Sequence, residues 1–184
     1  MPLQNRWRTE HLRSILPEKY KVDRVTMYNH EPDGYVCPFC KIIQQAADPA
    51  LTGMVWRGES AAAFLGLARW KNNPVDVVVI PNKHYENLYD LPVEFAPALQ
   101  RITRAVALAL KAVYGCDGIS TRQHNEPAGN QDVWHYHIHV TPRFLDDDFY
   151  RSNKIEFLED QRLREAGRLR QYLVEHQQEI TLEK

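Results

Sequence analysis

Short apolar runs and one long helical stripe dominate the middle of the chain. The runs at 54–57, 61–65 and 77–80 are each bounded by turn-forming residues. Runs of this length and spacing predict neighbouring strands that pair antiparallel. Between 93 and 114, apolar residues recur at steps of three and four, and Gly115 follows as a stop. This segment predicts one helix packed against the sheet.

Two further strands are predicted after this helix, and a polar loop joins them. The pattern therefore predicts an α+β fold, in which an antiparallel sheet of about five strands packs on one main helix. Near the end of the chain the composition becomes charged and leaves a narrow apolar stripe, which predicts a peripheral C-terminal helix. The predicted strands lie at 118–123 and 134–143, and the predicted regions are an N-terminal arm at 1–35, a domain at 36–145 and a helical extension at 146–184.

Composition and charge narrow the classes of partner. The chain has 184 residues, 43% of them hydrophobic and 26% charged, which is the usage of one globular domain with a packed core. A formal net charge of −1 gives no strong signal for nucleic acid or for an anionic membrane, so we expect a small ligand. No apolar stretch has the length of a signal peptide or of a membrane span, so we expect a cytoplasmic protein without a membrane partner.

A pair of cysteines, Cys37 and Cys40, brackets a proline and an aromatic residue. Their spacing is that of a zinc knuckle, but two thiolates need two further ligands to complete a tetrahedral shell. The alternative is a redox pair, because Cys-Pro-aromatic-Cys also resembles the active site of glutaredoxins. That site lies between a strand and a long helix, which the sequence around the pair does not predict. Cys116 is interpreted as a buried small residue.

Three histidines alternate in the last predicted strand. Alternation along a strand places His135, His137 and His139 on one face. A neutral imidazole is a competent nucleophile towards phosphorus at physiological pH, because its unperturbed pKa is about 6.5. A neighbouring imidazole can then transfer the leaving group's proton. The histidine strand is therefore a candidate site for nucleophilic catalysis on a phosphate.

Four ordered motifs resemble those of the histidine triad family. The family's signature is His-x-His-x-His followed by two apolar-leaning positions, which here are Val140 and the looser Thr141. The segment 37–43 is similar to the family's opening, 79–84 to its strand exit and 129–135 to its phosphate loop. The resemblance covers about 37–143.

This resemblance implies a nucleotide hydrolase or nucleotidyl transferase that acts at the α-phosphate of phosphoramidates, anhydrides or dinucleoside polyphosphates. His137 would be the nucleophile that forms a covalent nucleotidyl-histidine, and His139 would stabilise the phosphate and the leaving group. Water would then release a nucleoside monophosphate. The family also implies a homodimer.

The resemblance further implies substrate contacts and a zinc site. The positions that match phosphate or leaving-group contacts are Asn125, Gln131 and Asp132. The positions that match the lining of the base pocket are Phe39, Ile42, Phe64 and Leu67. A structural Zn²⁺ would be held by Cys37, Cys40, His84 and His135.

Three positions depart from the family's pattern. Asp76 stands where the family usually has a histidine, Gly66 where an acid binds the ribose, and Asp132 where Ser or Thr is common. These departures keep open a catalytically weak, zinc-stabilised module that binds nucleotides or a protein. A further alternative is a metalloenzyme in which His137 and His139 hold a catalytic metal.

Overall fold

The structure is a computed structural model, and it describes residues 28–45 and 52–177. The predicted arm lies outside these residues except for its last part, from Tyr28. In chain order, the helices and strands are α1 Pro38–Gln45, β1 Met54–Arg57, β2 Ala61–Leu65, β3 Ala68–Trp70, β4 Val77–Pro81, α2 Ala96–Tyr114, β5 Gly118–Gln123, β6 Ile138–Arg143, β7 Lys154–Glu156 and α3 Glu159–Glu175.

The predicted α+β fold is confirmed. The main sheet has five strands in the order β1-β2-β4-β6-β5, and all its neighbours pair antiparallel. Strands β2 and β4 are buried at every position. Their apolar runs do not alternate with polar residues because both faces of the sheet are covered: α2 packs on one face, and Ile43 of α1 packs with Phe64 and Ile80 on the other.

Helix α2 matches the predicted helical segment. Pro97 lies in its first turn, where a missing N–H costs nothing, and a short 3₁₀ turn at Val93–Phe95 precedes it. The helix ends at Gly115, whose φ of 60° is left-handed, as expected of a helix-stopping glycine. Its apolar stripe, which includes Leu99 and Leu110, packs in the main core.

Helix α3 is more than the peripheral helix that the sequence predicts. Ala166, Leu169 and Leu173 are fully buried in the same core cluster as α2 and the sheet. The buried Arg162 donates a hydrogen bond of 3.0 Å to the Thr52 carbonyl, just before β1. The C-terminal extension therefore completes the core, and the stripe is narrow because α3 contacts the core along one line only.

A second, two-stranded sheet is absent from the sequence prediction. Strands β3 and β7 pair antiparallel, with Trp70 opposite Lys154 and Ala68 opposite Glu156. Each strand has only three residues, which is too short for a periodic pattern to stand out. The pairing brings the C-terminal part of the chain beside the segment that follows β2.

The prediction of one strand over 134–143 is wrong in its first half. Strand β6 begins at Ile138, and the four residues before it are irregular. Their backbone bonds are not those of a ladder: the His135 N–H donates to the Val133 carbonyl at 2.8 Å, and the Tyr136 N–H donates to the Tyr85 carbonyl at 2.6 Å. None of the helices described is long and apolar enough to cross a membrane.

Candidate active site and metal centre

Two cysteines and two histidines meet at one point beside α1. The Sγ atoms of Cys37 and Cys40 and a ring nitrogen from each of His84 and His135 all lie within 4.8 Å of one another. Cys40 Sγ lies 3.4 Å from His84 Nδ1 and 3.7 Å from His135 Nδ1, and Cys37 Sγ lies 3.4 Å from His135 Nδ1. The four residues predicted as metal ligands are therefore brought together.

A hydrogen bond from Nε2, on the side of the ring away from the cysteines, orients each imidazole of this cluster. His135 Nε2 donates to the Pro81 carbonyl at 3.0 Å, and His84 Nε2 donates to the Glu31 carboxylate at 2.8 Å. Since these oxygens only accept, each neutral ring carries its hydrogen on Nε2 and directs the Nδ1 lone pair at the thiols. Such partners behind the ring are typical of histidines that bind a metal.

The spacing of the ligand atoms fits a zinc ion. Zn–S and Zn–N bonds of about 2.3 and 2.05 Å at tetrahedral angles place sulfur and nitrogen about 3.6 Å apart. Three of the four sulfur–nitrogen distances here are 3.4, 3.4 and 3.7 Å, and the fourth is no more than 4.8 Å. Burial, together with the neighbouring Cys37, raises the pKa of Cys40 to about 12. A thiol with so high a pKa is a poor redox nucleophile, whereas a bound cation would stabilise the thiolate, so the geometry favours zinc over the redox alternative.

His137 follows the candidate metal ligand His135 by two residues, and one of its ring nitrogens is hydrogen-bonded to a protein atom while the other is free. Its Nδ1 donates to the His135 carbonyl at 2.7 Å, so the neutral ring leaves a lone pair on Nε2. Nε2 lies 4.0 Å from Oδ1 of the exposed Asp132. Burial, with a smaller effect of His139, lowers the pKa of His137 to about 4. The ring is therefore neutral at physiological pH.

His139 is held by a carboxylate. Its Nδ1 donates to Asp76 Oδ2 at 2.9 Å, and the Thr141 hydroxyl donates to Asp76 Oδ1 at 2.7 Å. Burial alone would raise the pKa of Asp76, but the hydrogen bonds from His139 and Thr141 outweigh it and hold that pKa below its usual value. The rings of His137 and His139 have their centroids 5.0 Å apart. The aspartate that departs from the family's pattern thus orients the third histidine of the triad.

An apolar cavity opens beside the two rings. It has a volume of about 240 Å³, and both His137 and His139 line it. The four residues predicted to line the base pocket all lie on its wall: Phe39, Ile42, Phe64 and Leu67. Gly66 also lines it, and a Cβ at Gly66 would come 3.3 Å from the Ala68 carbonyl oxygen. The small residue therefore fits a tight wall at the place where the family has a ribose-binding acid.

The three polar residues predicted as substrate contacts lie in different places. Asp132 lines the apolar cavity, and both Asp132 and Gln131 line a second, polar cavity beside it. The Gln131 side chain donates to the Glu86 carbonyl at 2.6 Å and so fixes the loop. Asn125 lines neither cavity; its Oδ1 accepts a hydrogen bond of 2.8 Å from the Leu88 backbone N–H.

Several residues at the site were missed by the reasoning from sequence. Arg122 and His124 come from β5 and the loop after it, and Lys154 comes from β7. Arg122 lies opposite His139 in the β5–β6 pairing, so a correct register would have found it. The Asp76–His139 contact could be found in the same way, from the pairing of β4 with β6. Nothing in the sequence points to Lys154.

Comparison with known proteins gives consistent matches. A family model described as the HIT domain matches residues 62–146. An uncharacterized HIT-like protein of Borreliella burgdorferi is 32% identical over 142 residues, covering 72% of this chain and 94% of the relative. A protein of Arabidopsis thaliana named adenylylsulfatase HINT3 is 26% identical over 138 residues, covering 73% of this chain and 63% of the relative.

A solved structure gives the same picture of the fold. The HIT-like protein of Bartonella henselae, described as involved in cell-cycle regulation and solved with an unknown ligand, superposes with a TM-score of 0.63 at 26% identity. The match covers 73% of this chain and 94% of that protein.

Proposed function

Because this chain belongs to the histidine triad (HIT) family, we propose that it is an enzyme that cleaves nucleotides at the α-phosphate through a covalent intermediate on His137. Family membership and a relative named as an adenylylsulfatase support nucleotide hydrolase or transferase chemistry in general. The finer proposal covers phosphoramidates, anhydrides and dinucleoside polyphosphates as substrates, with a nucleoside monophosphate as the product.

The observation that carries this proposal is the state of the His137 ring. A nucleophilic nitrogen needs a lone pair, a fixed direction and access to the substrate. The backbone carbonyl of His135 holds the hydrogen on Nδ1, and Nε2 is left with the lone pair on the side of Asp132. Because the pKa of His137 is about 4, no proton has to be removed before attack.

The proposed reaction has two displacements. In the first, His137 Nε2 forms a bond to the α-phosphorus, and the bond from phosphorus to the leaving oxygen or nitrogen breaks with its electron pair on the leaving group. A nitrogen leaving group takes up a proton from His139. In the second, a water oxygen bonds to the phosphorus, His139 accepts the water's proton, and the phosphorus–nitrogen bond breaks with its electron pair returned to Nε2.

His139 suits this role because of Asp76. The carboxylate 2.9 Å from Nδ1 fixes the ring's orientation and stabilises positive charge on it. The same ring can therefore hold a proton for the leaving group and accept one from water. The four apolar wall residues that match the family's base pocket support binding of the base in the apolar cavity. Asp132 is exposed and so can turn away from the substrate's phosphate.

We assign a structural role to the zinc. Cys37, Cys40, His84 and His135 would hold it, and it would supply a cross-link between α1 and the segment before β6. Because His135 is committed to this site, its carbonyl is held where His137 needs it. We propose residues 36–145 as the limits of the family domain, although the core also includes α3.

The metalloenzyme alternative lacks a ligand set. Within residues 28–45 and 52–177, the group at Cys37, Cys40, His84 and His135 is the only one in which three or more candidate ligands come together. Nδ1 of His137 and Nδ1 of His139 each donate a hydrogen bond to an oxygen atom. Among the described residues, these two rings form no group with a third candidate ligand. This arrangement supports roles in nucleophilic attack and proton transfer instead.

The test is to trap the intermediate. Protein is mixed with an adenylyl phosphoramidate, a dinucleoside polyphosphate or adenylyl sulfate, quenched without acid, and analysed by mass spectrometry and peptide mapping. We expect an added nucleotidyl group on His137 alone. The variant His137→Ala should lose nearly all activity, and His139→Ala should be slower by about 10²- to 10⁴-fold, the usual contribution of a proton-transfer partner.

The matched control is His176→Ala, which removes an imidazole at the end of α3 that lines neither cavity. It should form the adduct at the rate of the parent protein. An adduct on another residue, or near-normal turnover by His137→Ala, would rule out this mechanism. Slow adduct formation without release of product would instead support the binding-module alternative.

A further inference from the structure

A second cavity adjoins the apolar one and has a different character. Its volume is about 360 Å³, and it shares His139, Asp132 and Lys154 with the apolar cavity. Its other lining residues include Arg122 and His124. A substrate with its α-phosphorus beside His137 and its base in the apolar cavity could therefore direct the leaving group into this second cavity.

Arg122 has no anionic partner among residues 28–45 and 52–177. Its guanidinium lies 4.5 Å from the ring centroid of Phe149 and 5.0 Å from that of Trp70. Within the described residues, neither a hydrogen bond nor an ion pair to its guanidinium is found, and its Nε is buried without a partner. Burial lowers the pKa of Arg122, an effect that the charge of Asp76 only partly offsets. A guanidinium has five donors and stays charged, so this one is costly unless an anion binds it.

A neighbouring arginine, Arg143, contacts the same aromatic ring, but its guanidinium has hydrogen-bond partners within the protein. Arg143 also lies over the Phe149 ring, at 4.0 Å. It donates two hydrogen bonds to the Asp147 carboxylate, at 2.7 and 2.8 Å, and one to the Ser120 hydroxyl at 2.9 Å. Arg143 is therefore structural. Arg122 keeps the same aromatic support but offers its donors to a ligand.

Lys154 adds a second positive charge to the cavity. It lies opposite Trp70 in the β3–β7 pairing, with its Nζ 5.7 Å from the Trp70 ring centroid. Asp132 is the one carboxylate among the residues that line the cavity, and its side chain is 70% exposed. The buried Asp76 also acts on both cations, but its two oxygens accept hydrogen bonds from His139 and Thr141 and none from Arg122 or Lys154 among the described residues. The donors of the two cations are therefore left for an anionic ligand.

The C-terminal segment builds this wall. Both Lys154 and Phe149 lie beyond residues 62–146, which the HIT domain model matches. Phe149 is almost fully buried, and its ring packs against the Arg122 guanidinium. Lys154 lies in β7 and lines the cavity. Lys154 and the aromatic ring that supports Arg122 thus come from the part of the chain beyond the match, whereas Arg122 itself lies within it.

We propose that Arg122 and Lys154 form a subsite for a leaving group that ends in a tetrahedral oxyanion, so that this enzyme prefers substrates with a phosphate or sulfate leaving group over those with an amine. This inference rests on the proposed attack of His137 at the α-phosphorus. When the phosphorus–oxygen bond breaks, the electron pair stays on the leaving oxygen, and the two cations stabilise the charge that develops there. No proton has to be delivered to such a leaving group.

The test compares three substrates that share one nucleoside: an adenylyl phosphoramidate, adenylyl sulfate and a dinucleoside polyphosphate. For Arg122→Gln and for Lys154→Met, kcat/KM for the two oxyanion substrates, divided by kcat/KM for the phosphoramidate, should fall about 10- to 100-fold, as expected when one charge-assisted hydrogen bond is lost. The matched control is Lys71→Met, an exposed lysine that follows β3 and lines neither cavity. It should leave the ratio unchanged.

The outcomes separate this subsite from the proposed function. A fall of the ratio for both oxyanion substrates assigns the subsite to any tetrahedral oxyanion, and a fall for the polyphosphate alone assigns it to a phosphate chain. An unchanged ratio in both variants, with thermal stability retained, overturns the subsite while the proposed function stands. If the parent protein forms no adduct with any of the three substrates, the proposed function fails and the subsite with it.

Discussion

Replacing Cys40 by serine should remove one of the four proposed zinc ligands. Cys40 Sγ lies 3.4 Å from His84 Nδ1 and 3.7 Å from His135 Nδ1, so it faces both imidazoles. A serine hydroxyl does not ionise at neutral pH and binds zinc poorly. The variant Cys40→Ser therefore leaves three ligands, Cys37, His84 and His135, in place of a complete tetrahedral shell.

The size of the effect follows from linkage between binding and folding. Loss of a partner behind a metal ligand already weakens binding by about 10- to 100-fold, so loss of the ligand itself should weaken it by at least about 100-fold. In saturating zinc, a 100-fold weaker site contributes about 2.7 kcal/mol less to the free energy of unfolding. For a chain of 184 residues this corresponds to a Tm lower by about 5 to 11 °C.

The assay measures bound zinc by elemental analysis and Tm by calorimetry, each with and without a chelator. We expect one zinc per chain in the parent protein and a lower Tm on chelation. The control is Cys116→Ser, which makes the same change at a buried cysteine outside the cluster and should keep one zinc per chain. Freshly purified protein without zinc and without zinc uptake on refolding would refute the site, as would equal zinc loss in both variants.

Three further predictions test other parts of the structure. Asp76→Asn should lower kcat about 10- to 100-fold with little change in KM, because it removes a charge-assisted hydrogen bond that positions His139. The control Asp146→Asn, at an exposed aspartate, should leave kcat unchanged. Equal kcat values for the two variants would contradict this role of Asp76. Gly115→Ala should reduce the free energy of unfolding by about 1 kcal/mol, because the φ of Gly115 is 60°, in the left-handed region. Gly167→Ala, inside α3, should raise the free energy of unfolding by about 0.5 to 1 kcal/mol. Denaturant titrations measure both changes. Sedimentation should find a homodimer of the 21.5 kDa chain, and a monomer at micromolar concentration would refute the expectation taken from the family.

The sequence predicts strands β2 and β4 and helix α2 because their apolar residues are buried in regular patterns. Runs such as 77–80 are apolar throughout because both faces of the sheet are covered, and α2 shows one continuous stripe. The pairing of β3 with β7 produces no such pattern of apolar residues in the sequence. Each strand is short and half-buried or exposed, and its stability comes from contacts distant in sequence, such as the Lys71 N–H to the Asn153 carbonyl at 3.1 Å.

Some residues of the candidate site could be predicted from the sequence and others could not. The residues of the metal cluster and of the apolar cavity could be named because the resemblance to the histidine triad family implies a role for each matching motif position. The partners Asp76 and Arg122 could not, because they depend on the register between strands, which a pattern of alternating residues leaves undetermined. Lys154 depends on the unpredicted pairing of β7 and so leaves no signal at all.

The irregular backbone in the first half of the predicted histidine strand sets the orientation of the His135 and His137 rings. In a regular strand, the carbonyl of His135 would point to a neighbouring strand and bond in the ladder. Because the backbone before Ile138 is irregular, that carbonyl instead accepts the hydrogen of His137 Nδ1 and leaves Nε2 free. The same irregular segment turns Nδ1 of His135 to the cysteines. His135 and His137 therefore carry their hydrogens on opposite nitrogens, which leaves Nδ1 of His135 facing the cysteines and Nε2 of His137 with the lone pair that the proposed attack on phosphorus requires.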